Sequence, residues 1–582
     1  MPNVEDNAQT ETIRWKEWSA AVFEEARTSN KLVLLDLFAP WCHWCHVMDE
    51  TTYSDPKVIR AVVDNFVPVR VDIDQRPDIT DRYNRGGFPT TAFLSERGES
   101  IWGGTYIPPA DMLRIIESML SSKTSGEIEQ ALERNRMQFL DIASALEKRE
   151  TADADFVNAI FEDIFSAHDV QWGGFGEEPK FPHPDVVDLL LYRYQENGDK
   201  ELSEAVRSTL DHMTDGLYDS AGGGVFRYSV TRNWKEPHYE KMLETNLGFM
   251  RNLVHAHQIL GEKKYANTAR GVADYLLATL WDKDTGGFFS SQDADEAYYK
   301  LSRSEREKKL APKVIKEIYS GWNCLAVSTF LEAGVLLGEE KWVDIGKGTW
   351  KYALDQLWNP EQKLVRHRKG EELYLFDDQV NFFGAFIAMI EFTPEDDLTD
   401  MIELGESIIE GTDKAFKHPE GGYGDVVVSK DAVGELTDPR RSLIANSRWA
   451  NTEALFAAVT FKPEPTARAM EILRSYPPKQ IQAHGLFAAP FVLAWRMVER
   501  GPQLVEVHGT EGQDPMNVPL WISAKKSLNP TTVVMSARQV GPQVSKPDRP
   551  FAVICKSTGC SKEIENPETL SSMLREHPVK SK

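Results

Sequence analysis

Two cysteines stand two residues apart in the stretch Ala39-Pro40-Trp41-Cys42-His43-Trp44-Cys45-His46-Val47-Met48. An apolar run, Leu32 to Phe38, precedes them, and a helix-compatible segment follows. Cys42 is therefore expected where a buried strand hands over to a helix. Unpaired N–H groups and the helix dipole at such a terminus favour an anion. A thiol placed there ionises readily, and the thiolate is the species that attacks disulfides. On this reading Cys42 attacks, Cys45 resolves from one turn further in, and Trp41 packs beside the pair. Cys42 is expected to be the more exposed and the more acidic of the two. The same residues also fit the Cys-x-x-Cys-His pattern of covalent haem attachment, and four donors within five residues could bind a metal. No second Cys/His pair at finger-like spacing follows, and the opening Met1-Pro2-Asn3-Val4-Glu5-Asp6-Asn7 lacks the charged-then-apolar pattern of an export signal that haem attachment normally accompanies. The flanks favour thiol–disulfide chemistry, with no metal or other cofactor, and leave metal binding as the alternative.

A second landmark, Gly86-Gly87-Phe88-Pro89-Thr90-Thr91, runs into an apolar strand 44 residues after Cys45 (89 − 45). Proline entering a sheet after glycines marks a turn, and X-Pro is where cis peptides occur. The pair of landmarks resembles the thioredoxin fold, in which Pro89 would shape a substrate groove facing the cysteines. The stretch Cys42 to Met48, Val71-Asp72-Ile73-Asp74-Gln75-Arg76-Pro77-Asp78 and Gly104-Thr105-Tyr106-Ile107-Pro108-Pro109 resemble the spermatogenesis-associated thioredoxin-like family more closely. So do Pro179-Lys180-Phe181-Pro182, Glu236-Pro237-His238-Tyr239-Glu240-Lys241 and Gln292-Asp293-Ala294-Asp295 further on. This resemblance implies a thioredoxin-like domain joined to an (α/α)6 toroid similar to N-acylglucosamine 2-epimerases and six-hairpin glycosidases.

Composition narrows the function classes. With 66 Lys+Arg against 90 Asp+Glu the net charge is −24, and no basic tract interrupts it. That argues against nucleic acid and acidic membrane surfaces. The longest apolar stretches, such as Leu486 to Trp495, are too short to span a bilayer. Five cysteines, few and odd in number, fit a reducing compartment. A cytoplasmic protein is expected.

At 582 residues the chain needs more than one core. Residues 1–125 read as α-β-α-β-α-β-β-α, consistent with a thioredoxin-like domain, and 126–153 as a polar linker helix. Residues 154–500 contain twelve helix-compatible segments, starting near Asp155, Pro184, Lys200, Glu240, Lys263, Trp322, Lys341, Asp378, Leu398, Asn446, Pro465 and Ala483. Six hairpins suggest an (α/α)6 toroid. Residues 501–582 read as a small α/β tail, with Cys555 and Cys560 after its last strand. The expected fold class is thus multidomain α/β plus all-α.

Glycine-aromatic loops follow the first, third, fifth and ninth helical segments of the toroid: Trp172-Gly173-Gly174-Phe175, Gly222-Gly223-Gly224-Val225-Phe226, Gly286-Gly287-Phe288-Phe289 and Gly421-Gly422-Tyr423-Gly424. Connections after odd helices share one face, which also receives the starts of the even helices, so a polar, aromatic-rimmed cup is expected there. Its candidate lining is Lys180, Arg227, His238, Glu240, Lys241, Asp293, Asp295, Trp322 and Asp377, with Arg448 and His484 near by. Asp293, Asp295 and Asp377 could supply paired carboxylates at a glycosidic bond, and His238 or His484 could move a proton beside a carbonyl. The bland counterpart is that these carboxylates cap helices and His238 completes a buried polar network.

The leading expectation is a thiol–disulfide oxidoreductase acting through Cys42 and Cys45, whose partners are a protein disulfide and a thioredoxin-reductase-type electron donor, with a toroid that binds a sugar-like ligand. One alternative is a carbohydrate-active toroid with a regulatory thioredoxin-like domain. The other is a redox-sensitive interaction protein without turnover.

Overall fold

The computed structural model describes residues 12–145, 151–393, 398–510, 515–536, 548–556 and 558–575. The chain folds as two compact units, residues 1–149 with 426–440, and residues 150–425 with 441–582.

In the first unit, α1 (Ala20–Thr28) leads into β1 (Leu32–Phe38), α2 (His43–Thr51) and α3 (Pro56–Asn65). Then come β2 (Phe66–Asp72), α4 (Pro77–Tyr83), β3 (Thr90–Leu94), β4 (Ser100–Gly104), α5 (Pro109–Ser125) and α6 (Glu127–Ala145). The sheet order is β2-β1-β3-β4, with β1 parallel to β2 and antiparallel to β3. This is the thioredoxin-like arrangement, with two helices rather than one between β1 and β2. The central β1 is apolar on both faces because both are covered; Leu32 and Leu34 join Val58, Val62, Phe93 and Ile116 in one core. Asp55 caps α3 by accepting from the Lys57 and Val58 N–H groups, with Pro56 at the first turn. Ile128 and Leu132 of α6 lie in that same core. Residues 426–440 come from far along the chain, and no pattern in the sequence announces them. They are held because Arg82 donates to the carbonyls of Glu435 at 2.8 Å and Asp438 at 3.0 Å, and the Glu435 N–H donates to the Tyr83 hydroxyl at 3.2 Å.

The second unit is a closed double ring. Its helices are α7 (Ala154–Ser166), α8 (Pro184–Asn197), α9 (Lys200–Leu217), α10 (Leu243–Leu260), α11 (Lys263–Tyr275) and α12 (Ser320–Leu337). They continue as α13 (Glu340–Tyr352), α14 (Phe376–Phe392), α15 (Thr399–Phe416), α16 (Leu443–Thr460), α17 (Glu464–Arg474) and α18 (Ala489–Arg500). The even helices pack in sequence, and α18 packs back against α8, closing the inner ring; each odd helix packs outside an even one. The inner helices α12, α14 and α16 bury residues around most of their circumference, whereas outer helices such as α9 bury one stripe. That difference sorts the two layers. The last inner helix starts at Ala489, later than the sequence pattern suggests, because a separate short helix, Pro478–Ala483, occupies the preceding turn.

A tail follows: β5 (Gln503–His508), α19 (Pro519–Lys526), β6 (Thr532–Ser536), β7 (Phe551–Lys556), β8 (Gly559–Cys560) and α20 (Pro567–Arg575). Its sheet order is β6-β5-β7-β8, and Val505, Val507, Trp521, Ile554 and Leu570 form its core.

Candidate functional site

Cys42 is the N-cap of α2, and its Sγ accepts a hydrogen bond from the Cys45 N–H at 3.3 Å. Both side chains are below the surface, Cys42 at 5% and Cys45 at 3% exposure, so exposure does not separate them. Hydrogen bonding does. The Cys45 thiol is held well above the usual thiol range, first by its hydrogen bond to Cys42 and then by burial. Cys45 therefore keeps its proton while it is bonded to Cys42. Trp41 is buried, and its Nε1–H donates to Asp74 Oδ2 at 2.6 Å. The Phe88–Pro89 peptide is cis. The β1–β3 register pairs Leu37 with Thr90, which brings Pro89 to the end of β1 from which Ala39 to Cys42 departs. His46 Nε2 lies 3.1 Å from the Pro40 carbonyl. Among the described residues no group of three or more His, Cys, Asp or Glu is arranged to hold a metal ion.

One participant escaped the sequence reading. Asp36 sits in the middle of β1, fully buried, and burial lifts its carboxyl to about 6 against the opposing pull of Arg70. Arg70 Nε donates to its Oδ2 at 2.7 Å, and its charge reaches Cys45 and raises that thiol further. An ionisable acid therefore lies within electrostatic reach of Cys45. The signal was available: a lone aspartate inside the run Leu32 to Phe38 needs a buried partner.

In the ring, one turn recurs after odd helices. The N–H of Asp169, Asp219, Asp282 and His418 donates to the carbonyl of Gly174, Gly224, Gly287 and Gly422 respectively. Gly173, Gly174, Gly223 and Gly224 have φ between 62° and 75°, where a side chain would be strained. At the fourth residue of four inner helices an amide side chain grips the loop backbone in both directions. Asn246 does so at Val225, Asn323 at Phe288, Gln379 at Val365 and Asn446 at Tyr423, accepting at 2.7–2.8 Å and donating at 2.8–3.1 Å. The Gln379 copy belongs to the loop after α13, which lacks the paired glycines and was not legible as a repeat.

Several expected cup residues serve this scaffold. Lys180 is fully buried, its Nζ 2.5 Å from Asp169 Oδ2 and from the Gly173 carbonyl. Lys241 repeats the arrangement on Asp219 at 2.6 Å and on the Gly223 carbonyl at 2.7 Å, where burial lowers its ammonium to about 8. Asp295 is exposed and caps the short helix Glu296–Tyr299 by accepting from the Tyr298 N–H. Asp293 Oδ1 accepts from the Ala294 N–H at 2.8 Å, and Trp322 meets Tyr319 edge-on. Lys180, Arg227, His238 and Glu240 gather around the short ladder of Tyr228–Ser229 with Pro237–His238. The His238 ring stacks on Tyr228 and its Nδ1 lies 3.5 Å from Glu240 Oε1. Tyr228 stacks in turn on Phe181, which meets His183, which meets Phe487, a belt with Phe181 and Phe487 exposed. His484 Nδ1 accompanies the Gln480 carbonyl.

The charges that converge are those at the starts of inner helices. Asp185, Glu244 and Asp377 each occupy the second position of their helix, α8, α10 and α14. Arg448 Nη2 donates to Asp185 Oδ2 at 2.6 Å and also feels Asp377. Glu244 is solvent-accessible yet enclosed by the ring; burial raises its carboxyl, with Asp185 adding to the effect and Arg448 and Arg227 opposing it. Below them a chain of ion pairs descends. Arg251 bridges Asp185 and Asp188, Asp188 Oδ1 lies 2.9 Å from His255 Nδ1, and His255 Nε2 lies 3.2 Å from Glu332 Oε1. Burial works against a charge on His255, but Glu332 and Asp188 outweigh it and raise the imidazolium to about 10. A cavity of about 250 Å³ lies at this depth, lined by Asp188, His255, Glu332, Asn451, Glu391 and Lys525. Lys525 of α19, paired with Glu391 at 2.9 Å, belongs to the tail, which closes that end.

Residues 5–149 match the thioredoxin–DsbH-type family described as a protein of unknown function, DUF255. The chain is 30% identical to human spermatogenesis-associated protein 20 over 332 residues, 53% of this chain and 42% of that protein. It therefore spans about two-fifths of that relative's length. Over 98 residues it is 29% identical to the thiol:disulfide interchange protein DsbD of Campylobacter jejuni, 16% of this chain and 17% of that one. Among solved structures, cellobiose 2-epimerase of Bacillus thermoamylovorans aligns over 59% of this chain and all of its own, with 8% identity and a TM-score of 0.46.

Proposed function

We propose that this protein carries out thiol–disulfide exchange at Cys42 and Cys45, and that its ring binds a carbohydrate-like ligand where Asp185, Glu244, Asp377 and Arg448 converge. The observation that supports the first part is the arrangement at the start of α2: Cys42 caps the helix, accepts the Cys45 N–H, and is the hydrogen-bond partner of a thiol that stays protonated. The Cys42 thiolate attacks one sulfur of a protein disulfide and displaces the other as a thiolate. Cys45 then gives up its proton and attacks Cys42, releasing the second substrate thiol and leaving a Cys42–Cys45 disulfide. A reductase-type dithiol donor returns the two electrons. Exposed Trp44, tilted against Tyr106, offers an apolar contact for a polypeptide beside the thiols. Reduction of insulin disulfides should fall to background in Cys42→Ser, with the helical content unchanged. Equal rates for variant and wild type would leave only a redox-sensitive interaction role for this unit.

Support for the second part is the raised Glu244 carboxyl set among Asp185, Arg448 and Arg227, beside the belt of Phe181, Tyr228 and His238. A carboxyl whose acidity is weakened by burial is better suited to general-acid work toward a sugar oxygen than a free one, and flat rings suit sugar faces. In calorimetry against a panel of neutral mono- and disaccharides, the wild type should give a binding isotherm that Glu244→Gln weakens at least severalfold. No isotherm with any of them would remove the carbohydrate reading.

A further inference from the structure

The ring has a second polar chamber, at the end away from the glycine loops. Glu244 and Asp377 stand at the second positions of α10 and α14, whereas His255, Glu332 and Glu391 stand toward the far ends of α10, α12 and α14. There they line the cavity of about 250 Å³ to which the tail contributes Lys525, Pro530 and Val534. That is the volume of about eight waters in the liquid, at roughly 30 Å³ each. We propose that this chamber binds a small organic cation, a primary ammonium carried on an apolar body, anchored by Glu332 and Asn451. The proposal is independent of the carbohydrate reading, which concerns the mouth.

The polar groups around the chamber differ in how far the protein satisfies them. Asp188 has Arg251, Asn252 and His255. Lys525 Nζ donates to Glu391 Oε1 at 2.9 Å and lies 4.1 Å from the centre of the Phe392 ring. The same carboxylate oxygen accepts the Val534 N–H at 3.2 Å. Glu332 has less. Its Oε1 lies 3.2 Å from His255 Nε2, but that N–H is not aimed along the contact. Its Oε2 has no partner among the described residues. Burial opposes a charge here, yet His255 outweighs it and holds the Glu332 carboxyl below its ordinary range. Although α12 is an inner helix, 22% of the Glu332 side chain is exposed, and the cavity it lines is where that surface opens. Asn451 of α16, which also lines the cavity, has a buried amide oxygen, Oδ1, that likewise lacks a partner.

These two groups fix the chemistry of the ligand. A carboxylate oxygen and an amide oxygen only accept, so the group they hold has to donate. An ionised carboxylate favours a donor that carries positive charge, since a charge-assisted bond is about twice as strong as a neutral one. The ammonium of Lys525 is already held by Glu391, which argues against an anionic ligand. Much of the remaining wall is apolar: Leu191, Ile259, Leu455 and Leu493 from the ring, Leu528 and Val534 from the tail. It suits hydrocarbon rather than the hydroxyls of a sugar. An ammonium head on a short alkyl body satisfies both halves of the chamber.

n-Hexylammonium chloride tests this on the full-length protein. Calorimetric titration at neutral pH and physiological salt should give one site per chain. Binding should be at least tenfold weaker for 1-hexanol, hexanoate and ammonium chloride, which lack the charge, reverse it or lack the body. Glu332→Gln removes the charge at nearly constant shape and should weaken hexylammonium at least tenfold. Asn451→Leu removes the second acceptor at nearly constant volume and should weaken it severalfold. Circular dichroism of each unliganded variant should match the wild type. If Glu332→Gln does not fold, Asn451→Leu decides. If neither folds, slower amide hydrogen exchange in residues 528–534 of the wild type with hexylammonium supports the site, and unchanged exchange there overturns it. No heat with hexylammonium overturns the proposal, as does equal binding by 1-hexanol or ammonium, or tighter binding by hexanoate. Unchanged affinity in a folded Glu332→Gln or Asn451→Leu protein puts the binding elsewhere, such as the mouth, and overturns it as well.

Discussion

Replacing His255 with leucine should destabilise the ring by about 3–5 kcal/mol, the range for removing one member of a buried ion network. The imidazolium lies between two carboxylates, Asp188 and Glu332, and is the only cation for which Glu332 has a direct ion pair among the described residues. Asp188 would keep Arg251 and Asn252; Glu332, half-buried, would lose its direct ion pair and keep only the longer-range pull of Arg251. The sign of the pH dependence follows from the raised value of about 10. Protonated His255 stabilises the fold fully below the unfolded histidine range near 6.5, and that contribution is lost as pH rises toward 10. Urea unfolding followed by circular dichroism should therefore show the wild type losing its advantage over His255→Leu between neutral and alkaline pH. The double variant His255→Leu/Glu332→Leu should recover part of the loss. A single variant as stable as the wild type at neutral pH would show that the network carries no net stabilisation.

Asn323→Leu should cost about 3–5 kcal/mol, because it orphans the N–H and the carbonyl of Phe288 together, each worth about 1–3 kcal/mol when buried without a partner. Phe288 is wholly enclosed, and no water can take over the bonds that Asn323 makes at 2.7 and 3.1 Å. Leucine fills nearly the same volume, so the loss would report hydrogen bonding rather than a cavity. Asn381→Leu provides the comparison, since that half-buried amide makes one bond to the Asp377 carbonyl and its loss should cost far less. Equal melting temperatures for the two variants would mean that the loop after α11 does not depend on its clamp.

The helical count, the alternation of loops and the place of Cys42 at the start of α2 could be read from the chain because each depends on local spacing. Gly173-Gly174 and its repeats mark turns through a backbone requirement that neighbours do not alter, and Cys42 follows an apolar strand directly. The role of Lys180 was not readable in that way. A lysine beside aromatic residues looks the same whether it faces a ligand or Asp169, and only the closed turn shows which. The ion chain through the ring was illegible for a plainer reason. Asp188 and His255 are 67 residues apart, and Glu332 lies 77 further (332 − 255), so no periodicity connects them. Residues 426–440 show the same limit, since Arg82 finds its partner 353 residues away. Asp36 was readable in principle: a carboxylate in a strand covered on both faces has to be answered by a cation, and Arg70 sits at the register position directly opposite.

The contact between α18 and α8 alters how the second unit can come apart. A linear stack of helical hairpins has two end members, each with a single neighbour, and loosens from them. Here each inner helix has neighbours on both sides, so no hairpin is terminal. Peeling one away means breaking two interfaces at once, with nothing gained until the circle is cut. Partial melting from an edge is thereby denied to this unit, because it has no edge: it opens at a seam or holds together as one hoop.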